Sequence, residues 1–392
     1  MKLVVIGLGQ CGCRVADEFA RLNHKAQNQR GLEIVTGAFA VNTDVADLTG
    51  LSYISQHHQR RILIGDRKAG GHGVGKINER AAQIAREDGD KIVSALRTIK
   101  HPYESDAFLL IASSGGGTGS GSLPVVTKMV KDRYGDKPVY ALVVLPFDHE
   151  ETTEERTIYN TATCLKSVSS VADAVILVSN QRYVTKDASL SHNLHKINRQ
   201  IVQPFYSLLC AGEEKKARYI GAKVLDAGDI MQTLIGWTVI GSGKTELPFF
   251  HLSLRRKDNF RDKSTETRRG TKAMDEAISE LSVPCKPEDA NRALYLITGP
   301  NKEMNISLIK ELGDYLRDLT PNAIIRNGDY PRERGHLTVT VMLSALGDIA
   351  KVRDYYAKST KLMPEYEKRQ KAAEDKLKEI DEAGKGIPSL LG

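Results

Sequence analysis

The chain is poor in aromatics, which make up 6% of its 392 residues, and it has a single tryptophan. Its five cysteines (Cys11, Cys13, Cys164, Cys210 and Cys285) are scattered, odd in number and include no CxxC pair. That pattern excludes a disulfide framework and argues against a structural zinc site; it fits reduced thiols in a cytosolic protein. No stretch approaches the ~20 apolar residues of a membrane span. Met1-Lys2 runs straight into a short apolar strand, so no secretory leader is expected and the location is read as cytoplasmic. No internal repeat is present. The net charge is +7, but the 56 basic residues are interleaved with 49 acidic ones. With so few aromatics to stack bases, this reads as a solvated basic surface rather than a nucleic-acid face, and contact with a membrane is expected only indirectly. His57-His58 and His72 fall in polar loops, and no metal-ligand set is expected from them.

What is present is a regular alternation of apolar strands and helices through the first half. Strands are expected at 2–6, 38–41, 62–64, 107–111, 138–145 and 174–178, with helices at 11–22, 77–96 and 152–168 between them. Continuous apolar strands bounded by helices predict a parallel sheet buried on both faces, an α/β fold of Rossmann type. A long central helix is expected at 190–209, a break at Gly212 and Gly221, and a further helix near Asp229, with Trp237 after it in the core. The pattern changes after Gly241-Ser242-Gly243: charged loops at 255–269, helices at 271–281 and 307–319, and strands at 293–298, 322–327 and 336–343 read as a smaller mixed α/β domain. Beyond Pro364 the run 365–382 is rich in helix formers with few apolar positions, an exposed helical tail ending in the apolar tip Ile387 to Leu391. The expected division is 1–212 for a nucleotide-binding domain with the central helix, 213–243 for a connecting loop and helix, 244–362 for the second domain and 363–392 for the tail.

Three glycine loops each follow a strand. Gly7-Leu8-Gly9-Gln10-Cys11-Gly12 matches G-x-G-x-x-G between a strand and a helix. Gly70-Gly71-His72-Gly73-Val74-Gly75-Lys76 has Walker spacing, but Ile77 replaces the hydroxyl residue that would hold magnesium; Gly243-Lys244-Thr245 lacks the first glycine, with Thr238 in its place. The third, Ser113-Ser114-Gly115-Gly116-Gly117-Thr118-Gly119-Ser120-Gly121, bends the backbone tightly and aims bare N–H groups at one point before a helix N-terminus. Ligands of parallel sheets sit at the carboxyl ends of the strands, so all three loops can converge on one polyphosphate. Asp44, near the end of the second strand, could instead hold a ribose in a nicotinamide-dependent oxidoreductase, which remains the competing reading.

The run Gly115 to Gly121 resembles the signature of tubulins and FtsZ, the GTP-dependent filament formers. Gly9-Gln10-Cys11-Gly12 is similar to the first phosphate loop of tubulins, Asn42-Thr43-Asp44 to the second loop of FtsZ, and Asp226-Ala227-Gly228-Asp229 to the FtsZ catalytic loop. The mixture looks most like the archaeal CetZ group, linked to cell shape; a division filament of FtsZ type is the alternative within the superfamily. The resemblance covers most of residues 1–350.

The resemblance implies GTP or GDP with Mg2+, and roles for particular residues. Gly9, Gln10, Cys11, Gly12, Cys13 and Arg14 would line the α- and β-phosphates together with Gly115, Gly116, Gly117, Thr118 and Gly119. Asn42, Asp44 and the loop 70–75 would approach the γ-phosphate and magnesium. Glu150 would hold the ribose, Asn180 would sit near the sugar, and Asn198 would read guanine. Glu154 stands where FtsZ has an arginine, with Arg156 two residues on; Leu194 stands where the family usually stacks an aromatic. Asp226 and Asp229 would enter the pocket of the next subunit and position the attacking water. Taken alone, an aspartate at such a loop-to-helix junction serves equally as a helix cap. A helix of ~20 residues spans ~30 Å, so acids at the far end of the central helix cannot reach their own pocket. The resemblance thus implies head-to-tail self-assembly with a shared GTPase site, and the apolar C-terminal tip as a docking point for a protein partner.

Overall fold

The computed structural model describes residues 1–99, 101–184, 190–247, 260–333 and 335–385. Along the chain run β1 (Leu3–Leu8), α1 (Gly9–Arg30), β2 (Val35–Asn42), α2 (Val45–Thr49), β3 (Arg61–Leu63), α3 (Asp66–Ala69), α4 (Asn78–Glu87), α5 (Gly89–Leu96), β4 (Ala107–Ser113) and α6 (Thr118–Arg133). Then come β5 (Val139–Leu145), α7 (Asp148–Thr153), α8 (Glu155–Ser169), β6 (Ala174–Ser179) and the central helix α9 (Leu190–Ala211). The second half has α10 (Ala227–Thr233), β7 (Gly236–Thr245), α11 (Phe260–Ser279), β8 (Ala290–Gly299), α12 (Ile306–Leu319), β9 (Ile324–Pro331), β10 (Leu337–Leu346) and α13 (Ala350–Gly384).

The strands form one sheet in the order β3-β2-β1-β4-β5-β6-β7-β10-β8-β9. The first six are parallel, as their unbroken apolar sequences predict, and nearly every residue of β1, β4, β5 and β6 is buried. β7 continues the parallel run through Gly236–Thr238 and then pairs antiparallel with β10, where the sheet becomes mixed. Strand order reverses between β1 and β4, the switch point at which doubly wound sheets open a crevice for ligands.

Two apolar layers cover the faces. On one, Val15, Phe19 and Leu22 of α1 pack against Ile201, Phe205 and Leu209 of α9, with the Phe19 and Phe205 rings 5.5 Å apart. The N-terminal amine donates to Leu209 O at 3.0 Å and pairs with Glu213 at 2.8 Å, fastening β1 to the end of α9. Just beyond, buried Glu214 accepts from Arg30 at 3.1 Å and from the Tyr330 hydroxyl at 3.0 Å, so one carboxylate joins α1, the end of α9 and β9. Because ion and partners are all enclosed, removing one partner would cost about 3–5 kcal/mol.

Several expected elements differ. The helix expected at 77–96 is two, interrupted at Asp88, whose carboxylate accepts from Gly65 N at 2.6 Å. The helix expected at 152–168 is split at Glu154 into α7 and α8. The glycine-rich stretch 241–243, after which the pattern was expected to change, lies inside β7, a strand not expected there. Residues 260–269, read as charged loop, belong to α11. The tail helix does not begin after Pro364: α13 starts at Ala350, packs on α8 and carries Pro364 within it. Trp237 is half-buried at the start of β7, packed against the core. The tip Ile387 to Leu391 and residues 255–259 lie outside the described residues. No helix among the described residues is long and apolar enough to cross a membrane.

Candidate functional site

At the carboxyl ends of the parallel strands lies a cavity of about 430 Å³. Its floor is built by two helix starts that meet. α1 begins at Gly9 and α6 at Thr118, and neither has an acidic residue in its first turn or a side-chain cap. Their first N–H groups and dipoles therefore face the cavity uncompensated, which is an anion site. The close approach needs glycine: Gly9 has φ +70°, and a β-carbon on it would lie 2.7 Å from Gly119 N. Gly115, Gly116 and Gly117 form the adjoining wall, and none of their N–H groups is taken by a protein acceptor among the described residues.

The second loop is tied to the first by a residue the sequence reading did not single out. Asp47 accepts from Gln10 Nε2 at 2.7 Å and from Asn42 Nδ2 at 2.9 Å. It lies three residues past Asp44, and an Asn-x-Asp-x-x-Asp spacing was the available signal. Asp44 caps α2 through Ala46 N at 2.8 Å and Asp47 N at 3.3 Å. Below them, the Thr43 and Thr118 hydroxyls bond at 2.7 Å, pinning the second loop to the glycine-rich one.

The loop 70–76 closes a further side. Gly73 and Lys76 line the cavity, and Lys76 has φ +60°, uncommon for a residue with a side chain. Its ammonium pairs with Glu154 at 2.6 Å. Arg156, two residues past the position where FtsZ has an arginine, is not in the cavity wall; it is held by Glu79 and by Lys76 O. Arg156 thus does not take the place of the FtsZ arginine in this cavity.

The opposite rim carries Phe147, His149, Glu150, Asn180, Leu194 and Asn198. One Glu150 carboxylate oxygen accepts from Phe147 N at 2.9 Å, which fixes the side chain and leaves the other oxygen for a ligand. The Phe147 and His149 rings stack 5.4 Å apart and supply the aromatic surface that Leu194 lacks. Of the residues expected to contact a nucleotide, Gly9, Gln10, Cys11, Arg14, Asn42, Asp44, Gly115 to Gly119, Glu150, Asn180 and Asn198 line this one cavity. Gly12 and Cys13 do not: both are buried, and the Cys13 thiol bonds Gly7 O and Val41 O at 3.5 Å. They act through the packing of α1 on the sheet. Burial pushes the Cys11 thiol up to about 12, so it lines the site as a neutral group.

Asp226 and Asp229 lie elsewhere. A β-carbon on Gly212, the residue after α9, would lie 3.0 Å from Asp226 Cα, so these acids sit at the far end of that helix. From Asn198 in the cavity wall to Ala211 the helix rises about 20 Å. Asp226, not Asp229, is the N-cap of α10, accepting from Asp229 N at 2.9 Å. It is nevertheless exposed, and Asp229 is half-exposed with Arg326 3.6 Å away. The loop before them is held by β9: Asp329 accepts from Ala222 N at 3.0 Å and Lys223 N at 2.6 Å.

The profile of the Tubulin/FtsZ family, GTPase domain, matches residues 2–185, and that of the Tubulin-like CetZ, C-terminal domain, matches residues 187–361. Tubulin-like protein CetZ1 of Haloferax volcanii is 32% identical over 370 residues, covering 90% of both chains. The chain belongs to the tubulin-like CetZ family. Among solved CetZ structures, CetZ2 from Haloferax volcanii, described as a GTPγS-bound protofilament, superposes with a TM-score of 0.78 at 30% identity, covering 94% of this chain and all of that one. CetZ1 from the same organism, described as a GDP-bound monomer, gives 0.78 at 29% identity over 93% of this chain and 100% of its own. The expected α/β fold is thus that of CetZ, with a GTPase domain of the tubulin/FtsZ type.

Proposed function

We propose that this chain binds GTP in the cavity, polymerises head to tail and hydrolyses the nucleotide in the polymer, in the service of cell shape. The observation that carries the reading is the junction of α1 and α6: two uncapped helix starts and the free N–H groups of Gly115 to Gly117 form a cradle suited to a polyphosphate. Family membership and the nucleotides named for the two CetZ structures support guanosine over a nicotinamide.

Glu150, with one oxygen uncommitted, is placed to accept from ribose hydroxyls, with Asn180 beside it. Asn198 offers an amide donor and acceptor to a base edge. Among the described residues no group of three or more His, Cys, Asp or Glu could hold a metal. Asp44 at the cavity wall nevertheless suits Mg2+, which is commonly held by one or two carboxylates plus substrate phosphates and water. The bound ion would supply neutralisation of phosphate charge.

Asp226 and Asp229 are about 20 Å from the cavity of their own molecule, so their role in hydrolysis requires a second copy stacked end on end. A head-to-tail contact that does not close into a ring makes a filament. The proposed division places the cradle and α9 in residues 1–212, the acidic loop with α10 and most of β7 in 213–243, the rest of the mixed sheet in 244–362 and the end of α13 after 363.

Identifying the nucleotide released when purified protein is denatured tests the assignment: GDP or GTP supports it, and NAD overturns it. Sedimentation with GTP and with GDP tests assembly, with pelleting expected only for GTP.

A further inference from the structure

Behind the glycine-rich wall, on the side away from the cavity, stands a fully buried asparagine that the reading above does not use. Asn160 of α8 points its Nδ2 at three carbonyl oxygens: Lys76 O at 2.9 Å, Gly116 O at 3.1 Å and Gly115 O at 3.3 Å. These belong to two separate loops. Lys76 ends the loop 70–76, while Gly115 and Gly116 open the glycine-rich turn. The loops are also in contact: a β-carbon on Gly117 would lie 2.8 Å from Lys76 Cα.

A planar peptide sets its C=O and the following N–H in opposite directions. Holding Gly115 O and Gly116 O inward therefore turns the N–H groups of Gly116 and Gly117 outward, toward the cavity. The same amide fixes the carbonyl of Lys76, a residue in a left-handed conformation that an L side chain resists. Lys76 O also takes Arg156 Nε at 3.4 Å and Gly116 O takes the Ser120 hydroxyl, but the Asn160 amide is the donor that reaches carbonyls of both loops.

We infer that Asn160 is the positioning residue that couples the loop 70–76 to the glycine-rich cradle, and so sets how strongly the site prefers a nucleoside triphosphate over a diphosphate. This rests on the proposed GTP site, with the 70–76 loop next to the terminal phosphate. Loss of the amide donor frees that loop to part from the cradle. The Ser120 hydroxyl still holds Gly116 O and Gly117 O, so the cradle's contacts to the two phosphates common to GTP and GDP are weakened less than the contacts of the freed loop to the third.

The test is the affinity of the full chain for GTPγS and for GDP, in the wild type, in Asn160→Ser and in Asn160→Asp. Serine is too short to reach all three carbonyls and leaves room for a water. Aspartate keeps the shape but faces those oxygens without an amide donor. Both variants are expected to lose about tenfold in GTPγS affinity and less than about threefold in GDP affinity. A merely structural role would lower both affinities in proportion. Equal losses for the two nucleotides, or no loss in a folded variant, would overturn the inference. If only one variant folds, that variant decides; if neither folds, Asn160 is a stability residue and the inference fails. Wild-type protein that binds neither nucleotide contradicts the proposed site instead.

Discussion

At one end of α9 two helix starts converge with no acid in either first turn; at the other, two aspartates stand on an accessible loop with no phosphate cradle beside them. The first region is concave, glycine-lined and fixed by hydrogen bonds among four loops. The second is open to solvent and held from behind by Asp329 and Arg326. The contrast has a physical reason. A carboxylate placed to orient water at a terminal phosphate repels that phosphate, by ~4 kcal/mol per unit charge at 4 Å in a partly screened site. A monomer carrying both features would bind its nucleotide poorly. On the proposed function, separating them by the length of a helix would let one molecule bind tightly and leave hydrolysis to the junction between two.

The largest expected effect strikes the acidic end alone. Asp226→Ala with Asp229→Ala should lower GTP turnover at least about 100-fold while nucleotide affinity stays within about twofold; steady-state phosphate release and equilibrium binding measure the two. A loss of affinity as large as the loss of turnover would break the comparison. Next comes the cradle. Gly9→Ala forces a side chain into φ +70° and against Gly119 N, and should weaken GDP and GTPγS binding by about 10- to 100-fold in a titration. A smaller loss is expected from Asp329→Ala, which strips two backbone N–H groups of their acceptor and loosens the loop before Asp226. Turnover should fall severalfold, with affinity unchanged and stability lower by about 1–3 kcal/mol in denaturant unfolding. Smallest is a gain: Leu194→Phe adds an aromatic face to the cavity wall and should tighten guanine nucleotide binding by roughly threefold to tenfold.

The parallel half of the fold and the cradle were legible in the chain because their signals are local: unbroken apolar strands, glycines at strand ends, a helix after each. What escaped depends on partners remote in sequence. β7 was not expected as a strand, since it carries Gly241 and Gly243, yet β-carbons there would meet Ala277 O and Ala273 O; glycine is present so that α11 can lie directly on the strand. The interruption at Asp88 follows from its bond to Gly65, and the split at Glu154 goes with its ion pair to Lys76. Asn160 was invisible for the same reason, and Asp47 carried only its spacing from Asn42 and Asp44 as a signal. An aspartate on a short helix and an asparagine inside a longer one gain their meaning from loops that folding brings to them. Arg156 shows the converse, since an arginine close to the expected position in sequence is engaged by Glu79 outside the cavity.

The most direct test of a site completed by a second copy is GTP turnover per molecule measured across protein concentration. The rate should climb from near zero in dilute solution to a plateau above the concentration at which filaments sediment. A per-molecule rate that stays constant down to concentrations where the protein is monomeric would contradict the account.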